Sequence, residues 1–436
     1  MKLWQKENTL SHSETNEINV FTAGKDKAYD LLLAEADVEG SLAHARMLLK
    51  IKILTRSEFK LIEDGLLEIL KEIKSGSFQI AEEVEDVHSQ VELLLTARIG
   101  EAGKKLHSGR SRNDQVLTDI KLFIRKKITL LAGEVNTVFE TLQQLSEQHR
   151  AKLLPGYTHG QVAMPSSFGL WFGAYAESLV DDLELLHASY RVANKNPLGS
   201  GAGFGSSFPL DRELTTSLLS FESMNYNVVY AQMSRGKTEK VCAMGLAGIA
   251  STLSKLSMDI CLYMGQDLGF LSFPDHLTTG SSIMPHKKNP DVFELIRARC
   301  NRIQSLPNEL TLMLANLPSG YHRDFQLTKE CLFPAFDELS SCLRMSDYML
   351  KHIQVSDHIL EDPKYKFIWS VEAVNKEVLK GVPFREAYKK VGKEIANGDF
   401  TFSETLNHTH AGSIGNLCTK EIKGQMEKII SNFKNH

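Results

Sequence analysis

Apolar residues recur at intervals of three and four through the middle of the chain. After SGRSRND they fall at Leu117, Ile120, Ile124, Ile128, Leu131, Val135, Val138, Leu142 and Leu145, the spacing of one buried helix face. That stripe predicts a helix over 113–150, roughly 45 Å along its apolar face at 1.5 Å per residue. A second stripe, Phe168, Phe172, Tyr175, Leu179, Leu183 and Leu186, predicts a helix over 166–194, and a third runs through Leu246, Ile249, Leu253, Leu256 and Ile260. A fourth follows Pro290 with Ile296, Ile303, Leu306, Leu310, Met313 and Leu317, and the glycine-free stretch 321–380 suits more helix. Strand signals are sparse. The short apolar piece NVVYA (227–231) could pair, but nothing alternates over several strands. The pattern is mainly α: a central long-helix bundle over 112–362, preceded by shorter helical patterns (31–53 and 56–74) in a segment 1–111, and followed by a small helical segment 363–436.

Composition narrows the classes. A length of 436 residues suits about three domains, and 42% hydrophobic residues can fill large cores. A net charge of -4 supplies no basic field for nucleic acid. The six cysteines form no CxxC pair, and the first residues, MKLWQKENTLSHSETN, lack an apolar core for a secretory signal. With no apolar run near the roughly 18 residues of a membrane span, a cytoplasmic protein without membrane attachment is expected. The glycines of GSGAGFGSS (199–207) fall at alternate positions with no strand ahead of them; this departs from the dinucleotide fingerprint and reads as a tightly turning connection.

Candidate chemistry sits just ahead of the bundle helices. HSGRSRND (107–114), GYTHGQ (156–161), GSSIMPHKKNP (280–290) and GYHRDFQLTKE (320–330) each open a helical stretch. Helix starts present unpaired N–H groups and positive dipole ends, so an anionic small-molecule substrate is expected. In the third cluster Asn289-Pro290-Asp291 fits either a helix cap or a ligand contact. Lys287 and Lys288 could be a solvated pair, and Ser281 and Ser282 could make turns. Against these readings, 271–289 shows neither helical nor strand period, and loops beyond about 12–15 residues are commonly functional or disordered. Thr278, Thr279 and Gly280 supply hinge material for a lid.

GSSIMPHKKNP resembles the signature GSSxMPxKxNP of the fumarase/aspartase superfamily. EADVEGSLAHARML, EDVHSQVE, GKKLHSGRSRNDQV, PGYTHGQ, NPLGSGAGFG, NPDVFELIR and GVPFREAY resemble, in order and spacing, the argininosuccinate lyase family within it. The resemblance implies a three-domain fold assembling into a homotetramer with a helical core, and reversible β-elimination of argininosuccinate to arginine and fumarate, the last step of arginine biosynthesis, with no cofactor or metal. Another fumarate-releasing lyase or a noncatalytic relative are the alternatives. It implies Ser281 as the base, Lys287 and Asn289 at the charge of the intermediate, and a His159–Glu294 couple at the leaving nitrogen. Thr158, Ser111, Arg112, Asn113, Arg235, Tyr321, Gln326 and Lys329 are implied substrate ligands.

Some positions depart from the family pattern: Gly24 at a place often held by a substrate-binding serine, Gly160 where a larger residue is common, His286, QKEN (5–8) and AQMSRGK (231–237). They leave open how the arginine end is held. The helix pattern itself adds a constraint. If 113–150 and 166–194 form an antiparallel hairpin, Asn113 and His159 of one chain lie tens of ångströms apart, so sites must combine subunits.

Overall fold

The computed structural model describes residues 12–402 and 406–434; the QKEN departure lies outside them. The N-terminal segment folds around α1 (Ala34–Lys50), α2 (Arg56–Ser75) and α3 (Val87–Ile99). Its core, with Val38, Leu48, Ile62, Leu66, Val91 and Leu95, is separate from that of the bundle. Thr55 caps α2 in a capping box with Glu58, and Gly76 ends it in the left-handed region.

The bundle is built on α4 (Arg112–Gln148). All nine stripe residues from Leu117 to Leu145 are buried, each worth about 1.5–3 kcal/mol relative to exposure. Gln148 is followed by an antiparallel hairpin, β1 (Leu153–Thr158) and β2 (Gln161–Ser167). Its two-residue turn places His159 at φ 54° and Gly160 at φ 70°, the two positive values that a type I′ turn demands. Gly160 is thus explained by backbone conformation. The chain then doubles back as α5 (Phe168–Ala193), packed along α4.

NVVYA does not pair. Its residues begin α6 (Val228–Met233), because the Asn227 side chain accepts from the Val229 and Tyr230 N–H groups and starts a helix. Next comes α7 (Lys237–Tyr263), the one described helix long and apolar enough to cross a membrane; its apolar stripe, Leu246 to Ile260, is buried inside the bundle. The fourth stripe is two helices, α8 (Asp291–Ile303) and α9 (Leu306–Met313), and Leu317 lies beyond both. Pro307 lacks the N–H that would bond back to Ile303, so the helix restarts there, while the apolar register runs on through the break.

Only part of 321–380 is regular helix: α10 (Thr328–Leu350) and α11 (Ser370–Leu379), separated by turns and short 3-10 segments. After α12 (Phe384–Asn397), α13 (Thr419–Lys434) returns Ile422, Met426, Ile429 and Phe433 to the bundle core. Val374, Ala387, Val391 and Phe400 form a small core of their own. Besides the hairpin, two short strand pairs occur among the described residues. Lys195–Asn196, directly ahead of the glycine-rich run, pairs in parallel with Ser223–Met224, and Leu271–Ser272 pairs antiparallel with Gln354–Val355. A short strand therefore does precede that run.

Candidate active site

Six of the eight expected substrate ligands line one cavity of about 200 Å³ at the N-terminal end of α4: Arg112, Asn113, Arg235, Tyr321, Gln326 and Lys329. Lys329 is buried, its Nζ 2.7 Å from Asp26 Oδ1 and 2.6 Å from Asp30 Oδ1. Asp30 Oδ2 also accepts the Val87 N–H at 3.0 Å. Burial pushes the Asp26 carboxyl up, against the pull of Lys329. The Arg235 guanidinium, 3% exposed, lies over the Tyr321 ring at 5.5 Å, and its nearest carboxylate, Glu239, is 3.9 Å away. Arg112 reaches Asp86 at 3.1 Å and Ser89 Oγ at 2.7 Å.

Gln326 donates to the carbonyls of Thr22 (2.9 Å) and Ala23 (3.3 Å), fixing the turn at Gly24, whose φ of 49° accounts for the glycine. Four carboxylates (Asp26, Asp30, Glu85, Asp86) and four permanent cations (Arg112, Arg235, Arg323, Lys329) share the lining. Such a balance suits a zwitterion better than a simple anion. Ser111 lies just outside the cavity lining; its Oγ accepts the Asn113 N–H at 3.3 Å in the α4 cap.

The cavity also exposes residues that sequence reasoning missed. His88 lines it and is buried. Its Nδ1 lies 2.8 Å from Asp37 Oδ1 and 3.5 Å from Asp119 Oδ2, and Gln115 Nε2 donates to the same Asp37 oxygen at 2.5 Å. Burial opposes charge on the imidazole, but Asp37, with Asp119 and Asp86 behind it, raises the pKa to about 9. Asp37 is held below its usual range despite burial, by His88 and Arg110. Asp119 is pushed well up by burial and by the charge of Asp37. Among the described residues this trio alone is close enough to hold a metal ion. The hydrogen bond to Asp37 already uses His88 Nδ1, so an ion-paired imidazolium accounts for the geometry. No local pattern marked them: Asp37 shares its buried helix face with Ser41 and His44, and Asp119 its own with Gln115.

The other expected residues lie at the opposite end of the bundle. The hairpin carrying Thr158 and His159 is tied there by the Tyr157 and Tyr365 hydroxyls, 3.1 Å apart. The loop leaving α7 is anchored beside it by Tyr263 against Trp171 and Phe270 against Tyr365. The 27 residues of α7 put about 40 Å between Arg235 and that loop. The 37 residues of α4 put about 55 Å between Asn113 and the hairpin.

Within the loop, Ser281 Oγ accepts the N–H groups of Ile283 (3.3 Å) and Met284 (3.1 Å). Asn289 does not cap α8: the cap position is Pro290, and the Asn289 amide instead donates to Thr279 Oγ1 (3.3 Å) and the Gly280 carbonyl (3.4 Å), closing the neck of the loop. The Asp291 carboxylate takes the Thr279 hydroxyl. Lys288 pairs with Asp275 rather than standing free. Lys287, His159 and Glu294 are exposed. One chain therefore gathers most of the expected substrate ligands at one end and displays the implied catalytic residues at the other.

Residues 19–305 match a family model described as lyase. The argininosuccinate lyase of Parabacteroides distasonis is 57% identical over 432 residues, covering 99% of this chain and 96% of its own. That of Bacteroides thetaiotaomicron is 56% identical with the same coverage. That of Thermotoga neapolitana is 37% identical over 90% of this chain and 98% of its own. Among solved structures, EDDS lyase in complex with formate superposes with a TM-score of 0.75 at 20% identity, covering 95% of this chain and 90% of that one. Class II fumarase from Schistosoma mansoni gives 0.73 at 17%, covering 93% and 90%. The fold is that of these two solved structures, and by the extent and identity of the match to the curated relatives the chain belongs to the argininosuccinate lyase family of the fumarase/aspartase superfamily, a carbon-nitrogen lyase.

Proposed function

We propose that the active site is composite, formed in a cytoplasmic homotetramer from the α4-end cavity of one chain, the Thr158–His159 hairpin of a second and the 280–290 loop of a third. The observation that carries the sharing between chains is the separation by about 40 Å of helix between the cavity and the loop; the division of hairpin and loop between two partners is what the family resemblance implies. A substrate held by Asn113 and Lys329 is out of reach of Ser281 in the same chain.

The chemistry follows from what the reaction must overcome. Removing a weakly acidic proton beside a carboxylate builds a dianionic intermediate, and charge prepositioned at that carboxylate supplies the largest share of catalysis. Ser281 takes the proton. Its alkoxide is the base, returning to the neutral hydroxyl as it takes the proton, and it persists only in a closed, water-poor site where Lys287 and backbone N–H groups stabilise it. Lys287 and Asn289 meet the growing carboxylate charge. His159, paired with Glu294 across chains, delivers a proton to the leaving guanidino nitrogen through water. Asn113, Arg112 and Thr158 hold the succinyl part, and Ser111 fixes the helix start that presents the first two.

The arginine end, with both an ammonium and a carboxylate, fits the mixed-charge lining: Asp26 and Asp30 face the ammonium, while Lys329, Gln326 and Arg235 face the carboxylate. Fumarate release from argininosuccinate, adenylosuccinate, aspartate and malate tests the assignment. Turnover of argininosuccinate alone is expected; release only from one of the other three overturns it.

A further inference from the structure

A buried carboxylate outside the expected ligand set joins two walls of the cavity. Asp114, in the first turn of α4, is wholly inaccessible. Its Oδ1 accepts the Ser111 N–H at 2.9 Å, and its Oδ2 accepts the N–H groups of Gly199 and Gly201, both at 2.9 Å, from the far side of α5 in sequence. Burial raises its pKa to about 6, while those three N–H groups and Arg110 favour the ionised form. Gly199 and Gly201 sit at φ 86° and 62°, the left-handed region that residues with a Cβ seldom adopt.

The glycine-rich run continues the connection. Gln232 Nε2 donates to Ser200 Oγ (3.3 Å) and to the Gly201 carbonyl (3.4 Å). A Cβ on Gly203, itself at φ 107°, would stand 2.7 Å from Gln232 Cγ. The Gln232 carbonyl in turn accepts the Arg235 N–H at 3.1 Å. A continuous path runs from Arg112 and Asn113 through Asp114, the loop and Gln232 to Arg235.

We propose that Asp114 is a positioning residue for the elimination, clamping the glycine-rich loop 199–205 so that the Arg112–Asn113 wall and Arg235 keep the spacing that binds substrate. The proposal rests on the reading of this cavity as the substrate wall. Asp114 acts through its neighbours, so its removal weakens binding shared by ground and transition states, and that appears in KM more than in kcat.

The test is steady-state fumarate release from argininosuccinate by the assembled enzyme carrying Asp114→Ala, Asp114→Asn, Gln232→Ala or Asn113→Ala. Asp114→Ala is expected to raise KM about tenfold and Gln232→Ala about threefold, with kcat changed less than about threefold. Asp114→Asn keeps a carbonyl oxygen for the two glycine N–H groups and should return KM to within about threefold of the parent. If Asp114→Ala does not fold, Gln232→Ala decides. Asn113→Ala with raised KM, beside Asp114→Ala and Gln232→Ala at the parent KM, overturns the clamp alone. Asn113→Ala at the parent KM overturns the cavity reading and the clamp with it.

Discussion

His88 shows what a single side chain can do to a cavity wall. Its imidazolium stands between Asp37 and Asp119 with almost no water access. Replacing it with alanine leaves buried carboxylates without their partner, a loss of about 3–5 kcal/mol for a broken buried pair, to be read from the denaturant midpoint at pH 7. The pH sign follows from a pKa raised from 6.5 to about 9: the stabilisation is complete below about pH 6.5 and is lost as pH rises through 9. The midpoint of the parent protein should fall across that window, and that of His88→Ala should stay flatter. At the loop, Ser281→Ala and Lys287→Ala should each cut kcat by at least about a hundredfold with an unchanged circular dichroism spectrum; near-parental turnover in either would sink the catalytic assignment. The motif EDVHSQVE displayed His88, yet its partners lie 51 residues upstream and on α4. Nothing local to the motif reports such a pairing, because it exists only once three helices pack.

Helices were the legible elements, since a period of 3.6 leaves its mark on every turn. The stripe of α4 agreed with burial at each position. The break between α8 and α9 was not legible in that stripe, because Ile303, Leu306 and Leu310 keep the same spacing across it; only Pro307 signalled the restart. NVVYA misled for a related reason: β-branched residues favour strands, but a capping Asn227 decided otherwise. Ser111 illustrates an element-level role for a residue expected to touch substrate. Its hydroxyl is engaged in the capping box of α4, so Ser111→Ala should cost about 1 kcal/mol of stability, measured as a shift in thermal midpoint, whatever its effect on turnover.

At the scale of the molecule, the two-ended arrangement predicts complementation. His159→Ala and Ser281→Ala enzymes, each inactive, are mixed, dissociated and reassembled at equal ratio. With random assortment, about a quarter of the sites receive both intact parts from different subunits, and activity should recover to about that fraction of the parent. Verified mixed assemblies without activity would exclude a site that takes its hairpin and its loop from different subunits. The sequence made the separation of Asn113 from His159 legible through helix length alone; the gathering of Arg235, Tyr321 and Lys329 beside Asn113 was not, because it depends on how α4, α6 and α10 meet.

The length of α7 carries one more consequence. On the proposed shared site, a polypeptide newly released from the ribosome holds the expected substrate ligands and the 280–290 loop at opposite tips of a stiff rod, and folding alone would leave it dormant. Awakening is then a collision-controlled event: after refolding from denaturant, turnover should rise with a lag that shortens as protein concentration increases, long after helical content has returned.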